Sequence, residues 1–98
     1  MNVLLKTQLF DDWLTNLRDV RSQARIARRI ERAAEGNFGD HRNVGGAVWE
    51  MRIDCGPGYR LYYARKEETI YILLCGGDKA SQPGDIALAK ELWRKING

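Results

Sequence analysis

Apolar residues recur with a helical period in the first third of this chain, alternate or run together through its middle, and return to a helical period near the end. Phe10, Trp13, Leu14 and Leu17 are spaced i, i+3, i+4, i+7, which makes one apolar face of a short helix. Asp11 and Asp12 fall in its first turn, where acids favour the positive end of the helix dipole. Residues 3–7, Val-Leu-Leu-Lys-Thr, suit a short first strand ahead of it. A second helix is predicted from about Asp19 to Ala34, with Val20, Ala24, Ala27, Ile30 and Ala34 on one stripe and arginine on the other faces. Small alanines on that stripe imply close packing against the first helix or a sheet, and Gly36-Asn37 supplies the stop.

From Gly36 onward the composition changes. Asn37, Gly39, Asp40, Gly45 and Gly46 read as turns, which leaves His41 and Arg42 in a loop. Three strands follow. In residues 47–54 the alternation places Ala47, Trp49, Met51 and Ile53 on one face and Val48, Glu50, Arg52 and Asp54 on the other. Residues 59–65 form the second strand. Residues 69–75 form the third, apolar on both faces and therefore expected at the centre of a sheet. Residues 66–68, Lys-Glu-Glu, make a solvated hairpin tip. A last helix is predicted over 85–96, with Ile86, Ala89, Trp93 and Ile96 on its apolar face and Asp85 as N-cap or first-turn acid.

At 98 residues the chain has the length of one domain, 1–98, with a modest core. Apolar content of 44% and charged content of 30% are those of a soluble protein. No stretch approaches the roughly 18 apolar residues of a membrane span, and the N-terminus lacks the pattern of a signal peptide, so a cytoplasmic location is expected. The net charge of +3 is only mildly basic, but residues 18–32 carry six arginines against Asp19 and Glu31. That helix is either a solvated face or a surface for a polyanion or acidic protein. Two cysteines, Cys55 and Cys75, and a single histidine, His41, stand in no metal-ligand spacing. Both thiols are expected reduced, with Cys75 a small core residue. No metal or cofactor is expected.

The chemistry gathers on the strands. If Trp49, Met51, Ile53, Tyr59, Leu61 and Tyr63 share the core face, paired residues must sum to an even number, because a one-residue slip flips every side chain. A turn near residues 56–58 allows sums of 112 or 114. The first sets Arg52 opposite Arg60 and Glu50 opposite Tyr62; the second sets Asp54 opposite Arg60 and Arg52 opposite Tyr62. Either way Arg52, Arg60, Tyr62 and Glu50 share one polar face. Two like charges there need an anion, which Glu50, Asp54 or a phosphate could supply. Gly76-Gly77-Asp78-Lys79 ends the third strand, where glycines permit a sharp turn and bring Lys79 toward the same face. Neither a Ser/His/Asp set nor a phosphate-binding P-loop is present. Arginine, lysine and tyrosine suit the stabilisation of charge on a phosphodiester attacked by the RNA's own 2′-hydroxyl.

The segments Phe10-x-x-Trp13-Leu14, Arg25-Ile26-x-x-Arg29-Ile30-x-Arg32, residues 36–40, Glu50-x-Arg52, residues 56–62 and Gly76-Gly77-Asp78-Lys79-x-x-Gln82 resemble, in order and spacing, the HigB-like addiction-module toxins of the RelE/ParE superfamily. The resemblance covers nearly the whole chain. It implies an α+β fold in which two N-terminal helices pack on a small antiparallel sheet closed by a C-terminal helix. It also implies a type II toxin acting as a ribosome-dependent, metal-independent mRNA endonuclease. The cognate antitoxin would carry a helix-turn-helix domain, and operator DNA would be reached only through it. By position, Arg60 looks like the phosphate-binding residue, Arg52 and Lys79 like supporting cations, and Tyr62 like a stacking or proton-transfer group. His41, Arg42 and Arg65 are candidate RNA contacts, and Arg25, Arg28, Arg29 and Arg32 candidate antitoxin contacts. A C-terminal catalytic histidine or tyrosine, usual in these toxins, is not evident. The alternatives are a ParE-like gyrase inhibitor working through the arginine-rich helix and a non-catalytic module that binds its antitoxin.

Overall fold

A computed structural model describes residues 1–97. Its elements are β1 (Val3–Lys6), α1 (Gln8–Thr15), α2 (Val20–Ala34), β2 (His41–Gly45), β3 (Val48–Ile53), β4 (Tyr59–Glu67), β5 (Ile70–Asp78) and α3 (Gln82–Asn97). The strands form one sheet in the order β1-β5-β4-β3-β2. Strands β2 to β5 are an antiparallel meander, while β1 lies parallel to β5, Val3 beside Ile70. The α+β class therefore stands. The first strand read at residues 3–7 is present as β1, while the expected arrangement is corrected in that the sheet is mixed rather than antiparallel throughout, and α3 lies on the face opposite α1 and α2. The last point follows from two separate cores. Phe10, Ile26, Met51, Ile53, Leu61, Tyr63 and Leu73 pack with α1 and α2. Val48, Tyr62, Ala64, Ile72, Leu74 and Cys75 pack against Ala89, Ile86, Leu92 and Trp93 of α3.

Local chemistry sets the helix ends. The Thr7 hydroxyl accepts from the Phe10 N–H (3.0 Å) and donates to the Leu74 carbonyl (2.7 Å), tying α1 to β5. The Asp19 carboxylate accepts from Arg21 N, Ser22 N and Ser22 Oγ at the start of α2. These bonds to the ionised form hold its pKa below the usual carboxylate value. The buried stripe of α2 differs from the expected one: Ser22, Ile26 and Ala33 are inside, whereas Val20 is 74% exposed. Ser22 can be buried because its hydroxyl donates a hydrogen bond to the Asp19 carboxylate, which leaves no unsatisfied polar group inside. On α3 the buried side is Ala89 with Ile86, Leu92 and Trp93, and Ile96 is left exposed.

Two further expectations change. Strand β2 occupies residues read as loop: Asn43 and Gly45 carry turn composition, yet β3 offers an edge to pair with, and His41 aligns with Met51 and Arg42 with Glu50. Nor do Gly76 and Gly77 make a turn; both lie inside β5. The β4–β5 register shifts between Tyr62 and Tyr63, which pair with Cys75 and Leu73, so Leu74 is the extra residue of a bulge. Past the bulge the faces are exchanged. Gly76 then faces the α1 side, where a Cβ would strike the Trp13 ring, and Gly77 faces α3, where a Cβ would strike Asp85 and Ser81. The glycines are used for close packing rather than for φ. Both cysteines are free. Cys75 is buried, and burial together with the nearby Asp85 carboxylate pushes its thiol up to about 12.

Gly76→Ala is expected to lower unfolding stability by about 1–3 kcal/mol in urea titration, the usual range for forcing a methyl into a filled core. In the native protein at pH 8, thiol reagents are expected to leave Cys75 unmodified and to reach it only on unfolding; mass spectrometry of the labelled peptides reads this directly.

Candidate functional site

Glu50 is fully buried in the middle of β3, on the face that α3 partly covers. A buried carboxylate survives only with donors around it, and the chain supplies them from three elements. Arg42 Nε of β2 donates to Oε2 at 2.9 Å. Gln82 Nε2, at the start of α3, donates to Oε1 at 2.6 Å, and the Tyr62 hydroxyl of β4 donates to the same oxygen at 3.3 Å. Arg60 Nε lies 3.7 Å from Oε1, within ion-pair range but too long for a hydrogen bond.

Next to this carboxylate the register sets Arg52 directly opposite Arg60, and Glu50 opposite Tyr62, the first of the two alignments that the parity rule allows. Arg52 reaches Asp40 Oδ1 at 3.2 Å with one terminal nitrogen. The Nε atoms of Arg52 and Arg60 are both buried and have no hydrogen-bond partner among the described residues. Arg60 keeps only 12% of its side chain exposed. Lys79, in the turn after β5, comes to the same place: a Cβ on Gly58 would sit 3.5 Å from Lys79 Cβ and 3.8 Å from Arg60 Nη1. Gly58 has φ +81° and closes the β3–β4 turn between the two cations. Arg52, Arg60 and Lys79 thus meet at the end of the face that α3 leaves open.

Tyr62 shares that face but does not reach solvent. It is fully buried beneath α3, and burial together with the neighbouring Glu50 carboxylate raises its pKa strongly. It therefore remains a phenol that donates to Glu50, and its ring offers no exposed surface for stacking. Arg42 contacts Glu50, while His41, one residue before it on β2, points to the opposite face and lines a cleft with Arg65. Of the α2 arginines, Arg29 is turned inward. Its guanidinium donates to the carbonyls of Arg52 (2.5 Å), Phe38 (3.1 Å) and Asp40 (3.3 Å), and burial holds its pKa below the usual arginine value. Arg25 donates to the Asp54 carbonyl. Together with Arg28, Arg32 and Ile53 they line a second cleft of about 330 Å³. Among the described residues, none of these four arginines pairs with a carboxylate.

Sequence reasoning missed Gln82 and Asp40 as parts of this network. Gln82 was signalled only by its fixed place after Lys79 in the family motif, and Asp40 lay in a stretch that read as turn. Among the described residues no three His, Cys, Asp or Glu side chains converge as metal ligands, and no helix is long and apolar enough to cross a membrane. The arrangement can neutralise an anion at the Arg52–Arg60–Lys79 corner with Glu50 held behind it.

Comparison with known proteins places this geometry in a lineage. Residues 12–94 match the family described as "Phage derived protein Gp49-like (DUF891)". An uncharacterised protein of Haemophilus influenzae (strain ATCC 51907 / DSM 11121 / KW20 / Rd) is 45% identical over 97 residues, covering 98% of each chain. No solved structure matches. With most of its length matched, the chain belongs to the Gp49-like phage-derived protein family, a toxin-like family of the addiction-module type that implies a cognate antitoxin.

Proposed function

We propose that the chain, acting as one HigB-like toxin domain, is a ribosome-dependent mRNA endonuclease that needs no metal. One observation carries this reading: Arg52 and Arg60 are directly paired across β3 and β4 with both Nε donors buried and unpartnered among the described residues, and Lys79 and Arg60 both approach Gly58. Like charges paired across a sheet call for anions; Asp40 meets only one terminal nitrogen of Arg52, and Glu50, already bonded by Arg42, Tyr62 and Gln82, stays 3.7 Å from Arg60 Nε. A phosphodiester of bound mRNA fits the remaining donors. In the reaction the 2′-oxygen forms a bond to the adjacent phosphorus as the bond to the 5′-oxygen breaks. The 2′-hydroxyl loses its proton and the leaving 5′-oxygen gains one. Arg60 binds the phosphate at the open end of the face, Arg52 and Lys79 spread the charge that grows on its equatorial oxygens, and Glu50 is the positioning residue that aims Arg60. Tyr62 acts through Glu50 and does not touch the RNA. The antitoxin, a helix-turn-helix protein in this reading, would silence the toxin by engaging the arginines of α2.

Primer extension on a model mRNA tests this, after induction of the wild-type chain or Arg60→Ala in cells without antitoxin. The expected result is cuts within translated codons that fall by about 10²–10³ in the variant, as for loss of one preorganised charge-stabilising donor. Growth arrest without mRNA cuts would replace this reading with gyrase inhibition, and no arrest at all would replace it with a non-catalytic binding module.

Glu50→Ala is expected to destabilise the fold by about 3 kcal/mol in urea titration, because Tyr62 and Gln82 lose their acceptor while Arg60 stays buried. The same variant should lose mRNA cutting even at temperatures where circular dichroism shows it folded.

A further inference from the structure

The sheet carries a second cleft on the face turned toward α1 and α2. Past the end of α2, residues 36–40 lay Phe38 across the strands. Its ring stacks on Tyr63 with centroids 5.1 Å apart and planes 15° apart, and it lies 4.9 Å from Tyr71. His41 continues the row, 6.0 Å from Phe38 and 5.6 Å from Trp49. These five rings and Arg65 line a cleft of about 490 Å³. That volume falls in the range of roughly 300–1,000 Å³ seen for small-ligand sites. Trp49 is 37% exposed, and His41 and Arg65 are exposed beside it.

The lining decides the occupant. It contains no carboxylate and no Leu, Ile or Met; beside the small Ala47 its side chains are aromatic rings with one fixed cation and one histidine. An apolar helix from a protein partner would meet aliphatic knobs in a groove. The exposed rings of Trp49 and His41, with the exposed Arg65 in the same cleft, suit a flat base and its phosphate, since every base has a π-face to stack and Arg65 can take the charge. We propose that this cleft binds an unpaired nucleotide of single-stranded RNA, its base stacked on Trp49 and His41 and its phosphate held by Arg65. The proposal rests on the RNA reading above and extends it. Because β2 turns His41 to this face and Arg42 to the Glu50 face, one strand of RNA passing over the β2 edge meets both faces in succession.

The test uses full-length protein carrying Arg60→Ala and a 5′-fluorescein-labelled penta-adenylate followed by anisotropy, so that binding is read without cleavage. Adding Trp49→Ala or Arg65→Ala is expected to weaken binding roughly 5- to 100-fold, the range for loss of one base–aromatic stack or its cation. Trp49→Phe, which keeps a ring and guards against misfolding, is expected to retain most of the affinity, and circular dichroism monitors the fold of each variant. Equal affinity with and without the cleft substitutions would overturn the proposal, as would the absence of any binding by the Arg60→Ala protein. Loss of antitoxin binding in the cleft variants with penta-adenylate binding unchanged would overturn it in favour of a protein partner. Failure of the nuclease reading appears separately, as mRNA cutting that survives Arg60→Ala in cells.

Discussion

The structure is organised around a carboxylate placed where carboxylates are rarely tolerated. Glu50 sits fully inside the protein, and its donors arrive from β2, β4 and the first turn of α3. Each partner lies far from the others in sequence, so the ion can be satisfied only when the meander is in register and α3 has docked. The same demand that makes the group expensive to bury makes it a strict check on the fold. It also bears on how Arg52 and Arg60 can be paired across the sheet beside it: Glu50 lies within ion-pair range of Arg60 and Asp40 meets Arg52, which offsets part of the repulsion while leaving both Nε donors unmatched among the described residues.

A second constraint is the bulge at Leu74. Without the extra residue, Gly76 and Gly77 would exchange faces, so that Trp13 and Asp85 would each confront the wrong position. The Thr7 hydroxyl donates to the Leu74 carbonyl, so the start of α1 and the irregularity in β5 fix each other. The bulge thereby decides how closely both helical layers approach the sheet, and with it the path of the chain from β5 through Lys79 into α3.

Much of this was legible in the sequence where a single period dominates. The spacing of Phe10 and Trp13, the alternation through β3 and the first-turn acid Asp85 are local signals, and the parity of apolar positions reduced the β3–β4 register to two choices, one of which placed Arg52 against Arg60. What was not legible depends on partners distant in sequence. Strand β2 looks like turn because nothing in residues 41–45 announces the edge of β3 that stabilises it. The stripe of α2 was misread because alanines look more buriable than Ser22, until Asp19 supplies an acceptor. Tyr62 looked like a surface ring because alternation alone cannot tell a face open to water from one under α3. At the candidate site the cations were visible as residue types, but their meeting around Gly58 and the role of Gln82 needed the tertiary fold.

The parallel pairing of β1 with β5 bears on the order in which the molecule can assemble. Val3 to Lys6 find their partners only in residues 70–73, with both helices and three strands in between. Parallel strands so far apart in sequence make loop closure a late and slow event in folding. During synthesis the first strand therefore has no partner until nearly the whole chain has emerged, and the cation corner, which needs Lys79 beyond β5, is among the last parts of the surface to form. A chain that has not yet extended past β5 thus carries Arg52 and Arg60 without the corner they share with Lys79.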